Sequence, residues 1–192
     1  MVAVLTVLRL APLKSVEPYL LQIDPKTGIT QKVNPVSRTD YAASEAIDRY
    51  FTSTYLRVRE SYNPSILLYN YNIVRLMSTT GVFTDYRRQL DATVEGSLAK
   101  HLGNFGRRDI KIRSMAYITN PSNRGKAEAT NSRILQARIT TTDSLPNTPD
   151  VEQQWVVTIT FEYADLAINE AEQLLNPLGY QVISYQIQRE IN

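Results

Sequence analysis

His101 is the single histidine of the 192-residue chain, and general acid–base chemistry would have to begin there. It falls near the end of an amphipathic helical stretch. A cation is favoured there by the helix dipole, so a solvated helix-end side chain is the ordinary outcome. Catalysis would further need a carboxylate and a nucleophile brought beside it by the fold. Glu45 and Asp48 stand three apart on a helix, where acids commonly solvate the exposed face. Glu45 also precedes Arg49 by four residues, the spacing of a helical ion pair. Asp165, Glu170 and Glu172 gather near a helix start, where the dipole stabilises acids without further purpose. The chain has no cysteine, which removes disulfides, thiolate metal sites and a cysteine nucleophile. Without cysteine, and with one histidine, no transition-metal set is expected. GxxxxGK[ST], GxGxxG and GxSxG do not occur, so no nucleotide cofactor or hydrolase elbow is expected either.

Two residue classes remain. Arg107, Arg108, Lys111 and Arg113 lie close together, and Arg124 and Lys126 cap the hairpin that follows. Strand alternation places Lys111 and Arg113 on one face. Such a face is either solvated or a docking patch for an acidic surface or a phosphate backbone. A net charge of only +2 argues against nucleic acid as a partner. Tyrosine is abundant, 12 of 192 residues, and Tyr50, Tyr55, Tyr62, Tyr69, Tyr71 and Tyr86 crowd the first half. Tyrosine offers large apolar area with a polar tip and is enriched at protein interfaces. Tyrosines on an apolar helical stripe belong to the core. Off-stripe Tyr55 and Tyr69 are the candidate interface residues.

The elements that position these residues follow from periodicity. Length fits one domain with a real core, residues 1–192. The apolar run from Val2 is too short to span a bilayer and lacks a basic leader. It is either a first element packed on the core or the start of a chain just past a membrane anchor. Residues 16–36 read as a hairpin around Asp24-Pro25-Lys26-Thr27-Gly28. Ser37 and Asp40 have capping-box spacing, and Ala43, Ile47, Tyr50, Thr54 and Val58 form the predicted buried stripe of a first helix. Arg59 and Glu60 fall off that stripe. Asn63-Pro64 stops it and starts a second helix with the stripe Leu67, Tyr71, Val74 and Met77. A third is predicted over 82–102, with Gly103 as its C-terminal cap.

The period then changes to two. Ile110, Ile112, Ser114, Ala116 and Ile118 alternate with Lys111, Arg113, Met115 and Tyr117. A long strand is predicted over 126–142, and the clearest one over 151–163. A short helix at 168–175 and a closing strand over 179–191 complete the chain. Helices first and hairpin-spaced strands later argue for an α+β fold with a curved antiparallel sheet packed against helices. Tyr50, Phe83 and Leu90 are expected to fill the space under the sheet and to leave no convergent polar site there.

Four segments, in order, carry a resemblance: PLKSVEPY at 12–19, YLRVRESY at 55–62, WVVTITFEY at 155–163 and NPLGYQVISY at 176–185. Together with the 24–28 turn they resemble the VirB-eight family of bacterial type IV secretion systems over nearly the whole chain. The resemblance implies a nuclear-transport-factor-two-like fold and a periplasmic domain behind one transmembrane anchor, which favours a chain that begins just after that anchor. It also implies a non-enzymatic assembly factor at the periplasmic face of the bacterial inner membrane. The implied partners are a second copy in a weak homodimer and channel subunits of the VirB-ten and VirB-nine types. Asn176, Pro177, Leu178, Gly179 and Tyr180 are the implied interaction turn. The same fold type also hosts small isomerases and dehydratases that use inward carboxylates or histidines.

Overall fold

The computed structural model describes residues 45–118 and 132–190 in full, with the backbone of two short strands before them. Residues 1–37 form one compact unit and residues 38–192 another. In the first, β1 (Leu21–Ile23) pairs antiparallel with β2 (Thr30–Lys32), the expected hairpin. Its turn, the 37–40 capping box and Arg124 and Lys126 lie outside the described residues.

The second unit begins with α1 (Glu45–Glu60). Its buried face is Asp48, Phe51, Thr52, Tyr55, Leu56, Arg59 and Glu60. The steps are alternately three and one, as a single helical face requires. This corrects the predicted stripe by one position. Ile47 and Val58 only flank the core, and Tyr50 is 65% exposed. The physical reason is that the buried face carries two acids and an arginine, which a search for apolar periodicity assigns to solvent.

A 3-10 turn (Pro64–Ile66), capped by the Asn63 side chain, leads into α2 (Leu67–Leu76). α3 covers Thr80–Gln89 and α4 Leu98–Leu102. The predicted single helix over 82–102 is therefore two. Asp91 accepts from the Thr93 N–H and hydroxyl, Gly96 adopts φ +74°, and Ser97 caps α4 by accepting from the Lys100 N–H. That turn chemistry outweighs the helical spacing of Leu90, Val94 and Leu98. Gly103 does cap α4, with φ +58°.

Four long strands make one antiparallel sheet in the order β3-β4-β5-β6: β3 (Arg107–Tyr117), β4 (Arg133–Ser144), β5 (Val151–Tyr163) and β6 (Tyr180–Arg189). The short helix α5 (Glu170–Leu175) joins β5 to β6. β3 carries a bulge between Ile112 and Ser114, so one residue, Arg113, lacks a partner on β4. A bulge swaps the faces of the strand beyond it. Met115 and Tyr117 therefore face the core in place of Ser114, Ala116 and Ile118, another correction to simple alternation. The core gathers Tyr55, Leu56, Val74 and Met77 from the helices against Leu135, Ile139, Val157, Ile159, Phe161, Tyr180 and Val182 from the sheet. Each fully buried side chain of this size contributes about 1.5–3 kcal/mol. The result is the expected α+β arrangement.

Candidate functional site

The 176–180 turn is built from two kinds of residue. Asn176, Gly179 and Tyr180 are buried. The Asn176 amide donates to the Tyr180 carbonyl at 3.0 Å, and its oxygen accepts the Tyr180 N–H at 2.8 Å. Gly179 takes φ +65°, and a Cβ there would sit 1.9 Å from the Ala164 oxygen. Tyr180 stacks on Phe161 (4.9 Å between centroids) and Phe51 (5.5 Å), and its hydroxyl meets the Thr52 hydroxyl at 3.0 Å. Burial holds the Tyr180 phenol well above its usual pKa. Tyr180 is therefore not an exposed contact.

Around this buried frame stand several exposed apolar side chains. Pro177 is exposed and Leu178 half-buried. On α5, Leu174 is 82% exposed and Leu175 40%. Asn169 and Glu172 form a capping box that starts α5, and Glu170 and Glu172 stand in its first turn, so these two acids serve the helix start as expected. Glu172 also accepts from Arg75 of α2 at 2.7 Å, which ties α5 to α2. That hydrogen bond, then the Asn169 N–H, holds its carboxyl below the usual range. On α2, Leu68 and Tyr69 are exposed at 74% and 56%. Tyr69 is thus where the sequence placed it. Tyr55 is not: it is fully buried, and its hydroxyl meets Ser78 at 2.8 Å and accepts from Arg59. The error is the one-position shift of the α1 face.

Polar groups under the sheet form two clusters, contrary to the expected apolar filling. Asp48 is buried rather than solvated. It accepts from Arg133 at 2.5 and 2.6 Å, from Tyr117 at 2.6 Å and from Tyr163 at 2.8 Å. Burial, then Asp48, pushes both phenols up. At the other end of α1, Glu60 accepts from the Tyr185 hydroxyl at 2.5 Å, and the Arg59 guanidinium lies 3.9 Å over the Tyr185 ring. A cavity of about 370 Å³ opens beside this second cluster, lined among others by Glu60, His101, Arg108, Asp143, Trp155 and Ile187. Two carboxylates thus do reach one cavity, which overturns the expectation that none would. Asp143 is closed by Arg108, at 2.5 and 2.7 Å, with the His101 Nε2 at 3.8 Å. His101 is accordingly exposed at the helix end but stands beside a buried acid. Sequence periodicity gave no sign of either cluster, because each joins residues 35 to 125 positions apart.

Several of the remaining basic residues are paired with acids. Arg107 pairs with Asp109 at 2.5 Å, and Arg113 with Glu190. Arg49 pairs with Glu45 at 2.7 Å, as its spacing implied. Among the described residues there is no group of three or more metal-ligating side chains, and no helix long and apolar enough to cross a membrane.

This fold and sequence have relatives. VirB8 of Bartonella quintana is 28% identical over 187 residues, covering 97% of this chain and 74% of that protein. The crystal structure of a TrwG component of a type IV secretion system from Bartonella birtlesii superposes with a TM-score of 0.64 at 29% identity, over 78% of this chain and 94% of that one. The Agrobacterium tumefaciens VirB8 structure, at 24% identity and a TM-score of 0.65 over 77% and 94%, shares the fold. That fold is the nuclear-transport-factor-two-like one of VirB8 periplasmic domains. The VirB8 protein family model matches residues 1–190, so the chain belongs to the VirB8 family and is a component of type IV secretion machinery.

Proposed function

We propose that this chain is a non-enzymatic assembly subunit working at the periplasmic face of the bacterial inner membrane. It binds a second copy of itself weakly and contacts channel subunits of the VirB-ten and VirB-nine types. The observation that carries the reading is the division of labour in the 176–180 turn. Asn176, Gly179 and Tyr180 fix the backbone from inside, while Leu174, Leu175 and Pro177 stand in solvent on the outside. Tyr69 and Leu68 add exposed apolar area on α2, which the Arg75–Glu172 pair ties to α5. Apolar surface held on a rigid frame is what a docking site needs. Weak affinity suffices, because an anchored subunit is already concentrated in two dimensions.

Sedimentation over a concentration series up to about millimolar tests self-association. The native chain should shift toward dimer, and Leu174→Glu and Tyr69→Glu should stay monomeric with unchanged melting temperatures. A native chain that remains monomeric throughout would remove the homodimer from this reading.

A second reading, a small isomerase or dehydratase, is favoured by one observation, the approach of Glu60, Asp143 and His101 to one cavity. Against it, Arg108 holds both Asp143 oxygens and Glu60 already accepts from Tyr185. Secretion by cells carrying His101→Gln distinguishes the two: acid–base catalysis in that cavity would lose its imidazole, whereas assembly through the α2–α5 face would persist.

A further inference from the structure

Two features of the second unit meet at β6, and the assembly reading uses neither. The first is a strand edge that, beyond Val182, pairs with no other strand among the described residues. β6 pairs with β5 on one side. On the other, Val182 already has partners: its N–H donates to the Met77 carbonyl at 2.8 Å, and its carbonyl accepts the Thr79 N–H at 3.0 Å. Ser78 thereby bridges Val182 in parallel fashion, a single rung of strand addition supplied by the chain itself. Further along, the Glu190 N–H points back to the Gln154 carbonyl at 2.8 Å. Antiparallel partners alternate in direction, so Tyr185, Ile187 and Arg189 turn their backbone groups away from β5. Among the described residues no strand receives them.

The second feature is the cavity, which lies against Ile187. Its walls are Trp155 and Ile187 on the sheet side and Gln89, Gly96, Ser97 and Leu98 on the helix side. Of its two carboxylates, Asp143 is closed bidentately by Arg108. Glu60 is not. Its Oε1 accepts from Tyr185, and the Arg59 Nε stands 3.6 Å off, outside good hydrogen-bonding distance. Glu60 is therefore the anion still open to a donor from the cavity.

The geometry points to β6 as the acceptor of an extended segment from a partner protein, added as a strand along Tyr185, Ile187 and Arg189, with a lysine or arginine of that segment reaching Glu60. Backbone groups that no described strand receives select an extended peptide over a folded surface. The carboxylate selects a cation, since a charge-assisted bond away from bulk water is the strong kind. Trp155 and Ile187 receive the methylene stem beneath the charge. The inference deepens the assembly reading by naming a class of partner segment and rests on it for that alone. Its surface is β6 and the cavity, not the α2–α5 face.

The test uses a nine-residue synthetic peptide of alternating threonine and valine with a central lysine, and a second peptide with norleucine in its place. Both are titrated into the 15N-labelled chain carrying Tyr69→Glu, while self-association of the native chain is followed separately by sedimentation. The lysine peptide should shift the amides of Tyr185, Ile187 and Arg189 and slow their exchange. The norleucine peptide should bind at least tenfold more weakly. Glu60→Gln should erase that difference, and Arg189→Pro, which removes an outward N–H and leaves the β5 ladder intact, should abolish the shifts. Absence of shifts at millimolar peptide, equal affinity of the two peptides, or shifts confined to other surfaces would overturn the inference. So would the same β6 shifts produced by raising the concentration of the chain alone, which would make the occupant a second copy. The peptide titrations are read on the Tyr69→Glu chain and do not bear on sedimentation of the native chain, so failure of the strand-addition inference and failure of the homodimer are seen separately.

Discussion

Asn176 grips both backbone groups of Tyr180, donating to its carbonyl and accepting its N–H, and both residues are fully buried. One side chain therefore sets how the last strand leaves the turn. Asn176→Ala would orphan a buried N–H and a buried carbonyl, a loss of about 2–4 kcal/mol. Asn176→Asp keeps the acceptor but turns an oxygen toward the Tyr180 carbonyl, so it should rescue little. Urea denaturation of both variants measures this. Wild-type stability in Asn176→Ala would mean that the grip contributes nothing.

Gly179 should tolerate no side chain at all. Its φ of +65° is a region where L residues are strained, and a Cβ would overlap the Ala164 oxygen at 1.9 Å. The Ala164 N–H in turn donates to the Gly179 carbonyl at 2.9 Å, so the two segments are not free to separate. Gly179→Ala should fold poorly or melt far below the native chain in a thermal scan. A melt within a degree or two of native would show that the backbone relaxes easily there.

These turn residues were legible in the sequence because proline, glycine and asparagine constrain their own neighbours. Strand 151–163 was legible because an apolar residue stands at every second position from Trp155 to Tyr163. Tyr50 and Tyr55 exchanged places because the face of α1 includes Asp48, Arg59 and Glu60, and no local pattern tells a buried ion pair from a solvated one. Met115 and Tyr117 were misplaced because the bulge at Arg113 leaves no mark in composition. The cavity beside Glu60 was invisible for a related reason: its lining comes from seven elements and a link between two of them, which only the fold brings together.

The Asp48–Arg133 pair is a direct test of that buried polar seam. Both side chains are buried, at 1% and 6% exposure. Removing one partner leaves the other uncompensated, at about 3–5 kcal/mol. Asp48→Asn and Arg133→Met should each lose about that much. The double change Asp48→Asn with Arg133→Met should lose less than the sum of the two single losses, since no charge remains buried. Additive losses in the double variant would show that the two side chains are not coupled.

Tyr69 and Tyr180 should respond in opposite ways to truncation. Tyr180→Ala empties a core site stacked between Phe51 and Phe161, a loss of about 3–5 kcal/mol. Tyr180→Phe keeps the ring and leaves only the Thr52 hydroxyl without its partner, at about 1–3 kcal/mol. Tyr69→Ala removes an exposed ring and should leave the melting temperature unchanged while weakening self-association. Thermal melts and sedimentation together separate the cases. A drop in melting temperature for Tyr69→Ala would place that residue with the core.

Alkaline pH should unfold the domain through its tyrosines. Tyr55, Tyr86, Tyr117, Tyr163, Tyr180 and Tyr185 all have phenols raised above their ordinary value, in each case chiefly by burial. Asp48 adds to this at Tyr117 and Tyr163, and Glu60 at Tyr185. A phenol whose pKa is raised by folding favours the folded state fully below the unfolded pKa, near 10. Above that value the unfolded chain releases its proton first, so stability falls as pH rises toward the folded pKa. Each such group contributes up to about 1.4 kcal/mol per pH unit in that window, and the window is wider for the deeply buried Tyr180 than for the half-buried Tyr117. Absorbance at the tyrosinate band and far-ultraviolet circular dichroism, followed together from neutral to strongly alkaline pH, check this. The six phenols should ionise in one step that coincides with loss of secondary structure. If they ionise gradually while the dichroism is still native, water reaches them in the folded state and the polar seam under α1 is looser than its hydrogen bonds imply.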